Sequence, residues 1–172
     1  MLDDVVDALE RDILNGRARW IADLNETFRD YTLDGHKFDI YARGQTRGKG
    51  FILSQFFAWT VLPNYKVSLY AKAVRDSAQF LRGNLMEFLR LIKKDMNERG
   101  FKWTWLVLLF EGDTPSRISS IIEEYGENDV GIGCVNAYSG SVLVSNNLLG
   151  RSLLQHMRLK HLVSGLERSK SR

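Results

Sequence analysis

Two short stretches, Phe38-Asp39-Ile40-Tyr41-Ala42 and Val67-Ser68-Leu69-Tyr70-Ala71-Lys72-Ala73, constrain this chain more than any other part of it. Both are rich in the aromatic and branched residues that favour extended backbone. A long stripe of helical period and a strongly apolar segment, 103–110, follow them. Strands followed by an amphipathic helix and a buried strand are the ingredients of a sheet covered by helices. Each of the two stretches also carries one chemically useful group, Asp39 on the first and Lys72 on the second.

The stripe runs through 76–99, where Phe80, Leu81, Leu85, Phe88, Leu89, Ile92 and Met96 recur at helical spacing and Gly100 supplies a stop. Residues 103–110 form a nearly continuous apolar run, the pattern of a strand covered on both faces. At the N-terminus, Leu2, Val5, Val6, Leu9 and Ile13 predict a helix, with Asp3 and Asp4 at the positive end of its dipole and Asn15-Gly16 closing it. Trp20, Ile21, Leu24 and Phe28 predict a second helix reaching about Arg29.

Asp34-Gly35 marks a tight turn into a strand over 37–43. Residues 51–63 contain no charge and read as a buried central strand, and 65–74 as the next one, so that three strands form an antiparallel meander. Beyond 110, Glu111-Gly112-Asp113-Thr114-Pro115 predicts a turn, 116–125 a short helix, 130–137 a strand, 142–144 a hairpin partner and 148–166 a last helix. The expected architecture is α/β: a single domain spanning 1–172, with a mixed sheet flanked by helices and a frayed basic tail from about 167.

At 172 residues and 44% hydrophobic, the chain is large enough for one substantial core. Cys134 is the only cysteine, which excludes an internal disulfide and a cysteine-based zinc site. His156 and His161 are five apart, which on a helix sends them to different faces. No run approaches the roughly 18 apolar residues of a membrane helix, and the acidic start, Met1-Leu2-Asp3-Asp4, is unlike a secretory signal. A cytoplasmic protein without membrane contact is expected. The net charge of +3 is concentrated at the C-terminus, where Arg151, Arg158, Lys160, Arg168, Lys170 and Arg172 face a single acid, Glu167.

With Asp39 on one strand and Tyr70-Ala71-Lys72 on another, the chain resembles the PD-(D/E)xK, or restriction-endonuclease-like, nuclease superfamily over roughly residues 1–145. The resemblance implies a core of helix, three-strand meander, helix and strand. It also implies a site in which an acid on one strand and an acid-x-Lys on the next bind magnesium and orient water. Asp39 matches the first acid and Lys72 the lysine, whereas Tyr70 stands where the second acid belongs. A tyrosine is no substitute for an anionic oxygen ligand at neutral pH. A second register, Gln55-Phe56-Phe57, supplies a glutamine for the acid but puts Phe57 in place of the lysine. Either register lacks one essential group, so the motif is degenerate.

Magnesium chemistry would therefore need a displaced carboxylate, for which Asp76, Glu87, Glu26 and Glu10 are the candidates. Without one, Asp39 reads as a strand acid paired to Arg43 or Lys72. The segment Gly44-Gln45-Thr46-Arg47-Gly48-Lys49-Gly50 offers a different chemistry. Its glycines let backbone amides approach an anion while Arg43, Arg47 and Lys49 supply charge. The expectation is a protein that binds DNA or RNA without efficient cleavage. A magnesium-dependent nuclease and an assembly subunit forming a homo-oligomer through its apolar strand are the alternatives.

Overall fold

A computed structural model describes residues 1–16, 22–46 and 64–163 of the chain. The uncharged run 51–63, the Gln55-Phe56-Phe57 register, Arg47, Lys49 and the tail from 167 lie outside the described residues. The chain order is α1 (Leu2–Leu14), β1 (Ala22–Leu33), β2 (His36–Thr46), β3 (Lys66–Val74), α2 (Arg82–Arg99), β4 (Trp103–Phe110), α3 (Ser116–Glu124), β5 (Val130–Asn136), β6 (Val142–Val144) and α4 (Leu148–Gln155). Among the described residues no helix is long and apolar enough to cross a membrane.

The strands form one mixed sheet in the order β1-β2-β3-β4-β5-β6. The first three are an antiparallel meander, with Phe28 opposite Tyr41 and Tyr41 opposite Tyr70. Helix α2 then carries the chain over so that β4 lies parallel to β3, with Leu69 beside Trp105. Helix α3 repeats the crossover into β5, and β6 returns antiparallel as a hairpin. The parallel centre explains the sequence pattern. Seven of the eight residues of β4 and all seven of β5 are buried, as expected of strands covered on both faces.

The sheet separates two apolar clusters. On one face Leu2, Val5, Val6, Leu9 and Ile13 of α1 and Leu149 and Leu153 of α4 pack against Leu69, Ala71, Val107 and Trp105. On the other, Leu85, Phe88, Leu89, Ile92 and Met96 of α2 and Ile118 and Ile122 of α3 pack against Tyr70, Leu106, Leu108 and Ile132. Each fully buried aliphatic side chain contributes roughly 1.5–3 kcal/mol relative to exposure. Trp105 is 1% exposed and directs its Nε1–H to Leu149 O at 3.2 Å and Ser152 Oγ at 3.0 Å, fastening α4 to the sheet.

Three boundaries differ from the sequence expectation. The second helix proposed to reach Arg29 is absent, because 22–33 is strand β1. A spacing of four between Leu24 and Phe28 fits one helix face and one strand face equally, since four is also an even number of strand residues. Solvent on β1's outer edge further removes the alternation that would have separated the two. The meander of the described residues is thus built from 22–33, 36–46 and 66–74. Helix α2 starts at Arg82 instead of 76: Asp76 Oδ1 accepts from the amides of Ala78 at 3.0 Å and Gln79 at 3.2 Å, closing a turn that delays the helix. The expected last helix is interrupted: α4 ends at Gln155, ahead of Arg158 with its φ of 52°, and 161–163 is helical again.

Candidate functional site

Asp39 and Lys72 do meet. Adjacent strands β2 and β3 bring Lys72 Nζ within 3.8 Å of Asp39 Oδ2, with the two side chains 28% and 25% exposed. The same carboxylate oxygen accepts the Ala73 N–H at 2.8 Å. Asp39 therefore serves as a hydrogen-bond partner where the β2–β3 ladder ends beyond Ile40 and Ala71. Lys72 borders a concavity of about 230 Å³ lined also by Arg75, Asp76, Gln79, Phe80 and Asn84.

Of the displaced acids, Asp76 alone lines that concavity with Lys72, and its Oδ1 holds the Ala78 and Gln79 amides. Glu87 is engaged by Arg90 in a two-pronged bond of 2.9 and 2.7 Å, which holds its carboxyl below the usual carboxylate range. Glu10 pairs with Arg29 at 2.9 Å. Glu26 pairs with Arg43 at 2.5 Å, further along the sheet. Among the described residues no three His, Cys, Asp or Glu side chains gather as a metal shell. Asp39 and Lys72 alone do not make a magnesium site, since the ion takes six oxygens in near-octahedral array and a second carboxylate would have to join them.

Tyr70 is fully buried, and its hydroxyl donates to Asp95 Oδ2 at 2.6 Å. Asp95, 2% exposed, forms an ion pair through its other oxygen with Arg99 Nε at 2.8 Å. Burial first, and then the bond to Asp95, push the Tyr70 hydroxyl far above its ordinary pKa, so it remains a neutral donor. Burial also raises Tyr41. Arg99 continues outward: Nη2 donates to Tyr31 Oη at 2.7 Å, Nη1 approaches Tyr41 Oη at 3.4 Å, and its guanidinium lies about 6 Å from both ring centres.

Arg99 opens onto a second, larger concavity of about 450 Å³. Asn25 and Glu26 of β1, Arg43, Gly44 and Gln45 of β2, Lys66 of β3, Arg99 and Phe101 line it. Arg43 lies four residues beyond Asp39, or about 13 Å along an extended strand, so this groove and the Asp39–Lys72 pair are separate places. A β-bulge between Asp23 and Glu26 brings β1 so close that a Cβ on Gly44 would lie 1.7 Å from Asp23 O. Only glycine fits there. Arg43 gives Nε and Nη2 to Glu26 Oε2 and stacks 5.7 Å over Phe28. Thr46 and Tyr65 are tied beside this groove, Thr46 N–H donating to Tyr65 O and Tyr65 N–H to Thr46 Oγ1, both at 2.9 Å.

Sequence reasoning reached Arg43 and missed Lys66, Asp95, Arg99 and Tyr31. One sign was available: Asp95 falls between Ile92 and Met96 on the apolar stripe, with an arginine four residues on. An acid on a buried helix face requires a partner. Compared with protein-family models, curated proteins and solved structures, the chain matches none.

Proposed function

We propose that the protein binds nucleic acid through the groove between β1, β2 and β3, on a restriction-endonuclease-like scaffold that does not cleave efficiently. The observation that carries this reading is the meeting of Arg43, Lys66 and Arg99 in one concavity, with two carboxamides and Phe101 beside them. Cations offer charge to phosphates, while amides and an aromatic ring suit base edges and faces. Arg47 and Lys49 add charge on the segment that begins next to Thr46. The meander followed by a helical crossover into a parallel strand supports the scaffold, as does the meeting of Asp39 with Lys72. The commitment of Tyr70 to Asp95 supports the loss of chemistry.

Fluorescence anisotropy with labelled single-stranded and duplex oligonucleotides tests it. Neutralising Arg43, Arg47 and Lys49 together should weaken binding and lower the slope of log affinity against log salt by about two to three. Binding indifferent to both salt and these substitutions would overturn it. Magnesium-dependent cleavage is the second reading, favoured by Asp76 lining the same concavity as Lys72. In that case Asp39→Asn abolishes cleavage. Intact single-stranded, duplex and branched substrates after incubation with wild-type protein and magnesium would end it.

A further inference from the structure

We infer that Arg99 is the phosphate-contacting residue of the groove, and that Asp95, itself held by Tyr70, is the positioning residue that keeps the guanidinium there. This rests on the nucleic-acid reading only for the source of the phosphate. A guanidinium carries five N–H donors. In Arg99, Nη2 donates to Tyr31 Oη and Nη1 to Tyr41 Oη, while Nε lies 2.8 Å from Asp95 Oδ1 in an ion pair. Among the described residues one N–H on each terminal nitrogen has no further hydrogen-bond partner, the pair of donors that grips a phosphate through two oxygens.

The other two cations of the groove are less prepared. Arg43 is spent on Glu26, which an incoming phosphate must displace. Lys66 has no ion-pair partner among the described residues but is a single charge on a flexible stem. Arg99 differs from Arg43 in being held by a buried acid and two tyrosines instead of by an exposed glutamate. Its anchor, Asp95, is 2% exposed, and the Tyr31 and Tyr41 rings beside its guanidinium stack with centres 4.2 Å apart. An arginine fixed before binding has little rotamer freedom left to lose on contact. A purely structural ion pair would explain Asp95. It would not explain why the guanidinium reaches the wall of a concavity with two donors unspent.

The test has two arms. In the first, an anisotropy titration of a labelled oligonucleotide, Arg99→Gln should lose about tenfold in affinity and reduce the salt slope by about one contact. Arg99→Lys, which keeps the charge and loses the fork, should recover the slope but not the affinity. Tyr70→Phe should weaken binding severalfold with the slope unchanged, because it disturbs position and not charge. Full affinity in Arg99→Lys or unchanged binding in Arg99→Gln overturns the inference.

The second arm uses inorganic phosphate and amide chemical shifts, and does not depend on nucleic acid. Phosphate should move the Gly44, Gln45 and Lys66 resonances in wild-type protein and not in Arg99→Lys, whose folding the same spectra verify. A wild-type spectrum that phosphate leaves untouched overturns the inference. Phosphate shifts without oligonucleotide binding overturn the nucleic-acid reading and leave Arg99 as an anion site.

Discussion

The hydroxyl of Tyr70 and the carboxylate of Asp95 share a hydrogen bond of 2.6 Å inside the core, at the position where the motif that the sequence resembles has a second acid. The position is therefore filled by a group that binds a carboxylate instead of supplying one. Asp95 has its two oxygens divided between Tyr70 and Arg99, so its buried charge is satisfied from both sides.

Tyr70→Phe should cost about 1–3 kcal/mol, the penalty of leaving a buried acceptor without its donor. Urea denaturation measures this directly, and a loss under about 0.5 kcal/mol would show that the bond contributes little. Tyr70→Glu, which would create an acid-x-Lys sequence with Lys72, should be worse than Tyr70→Phe because it buries a second carboxylate against Asp95. It should not acquire magnesium-dependent cleavage.

Asp39 separates charge from hydrogen bonding. Asp39→Asn retains an oxygen for the Ala73 N–H now bonded at 2.8 Å and should stay within about 1 kcal/mol of wild type, since the partly exposed pair with Lys72 is worth little. Asp39→Ala removes the acceptor and should lose about 1–2 kcal/mol. Equal stability of the two variants would assign the role of Asp39 to its charge alone.

Two glycines should respond to alanine with opposite signs. Gly83 lies in the first turn of α2 with nothing within 4 Å of an added Cβ, so Gly83→Ala should stabilise by up to about 1 kcal/mol. In α4, a Cβ on Gly150 would lie 2.3 Å from Ser145 O, and Gly150→Ala should lower the melting temperature despite the better helix propensity. Thermal unfolding of both variants settles the comparison.

Lys94 donates to Asp34 Oδ2 at 2.6 Å, and this bond holds the Asp34 carboxyl below its ordinary pKa. A depressed folded pKa means that the pair's contribution is complete above the unfolded value, near 4, and disappears as pH falls through the folded one. Lys94→Ala should bring the Asp34 pKa back up in a carboxyl NMR titration. An unchanged midpoint would show that the ion pair does not persist in solution.

How far the sequence could be read depended on how each element meets solvent. Strands β4 and β5 were legible because burial on both faces writes an unbroken apolar run, and α2 because one face alone is buried. Edge strand β1 was not, since Leu24 and Phe28 satisfy two periodicities and its polar residues face water. Asp39 and Lys72 were singled out through a family resemblance, on strands read with 51–63 between them; in the structure β2 pairs directly with β3 and the two side chains meet. The groove could not be anticipated: β1, β2, β3 and the end of α2 each contribute one or two side chains, and the bulge against Gly44 that draws β1 inward is a feature of pairing. Asp95 was visible as an anomaly on its helix, but its partner Tyr70 is 25 residues away.

The sheet also works as a partition with a practical consequence. Tyr41 and Tyr70 pack with α2 and α3, whereas α1 and α4 close the opposite face. Trimming Leu9 or Leu153 should therefore loosen the fold from behind while leaving the front chemistry in place. The molecule carries its own control: damage on the rear face reads as instability alone, so a front-face variant that melts normally and fails to bind has lost recognition itself.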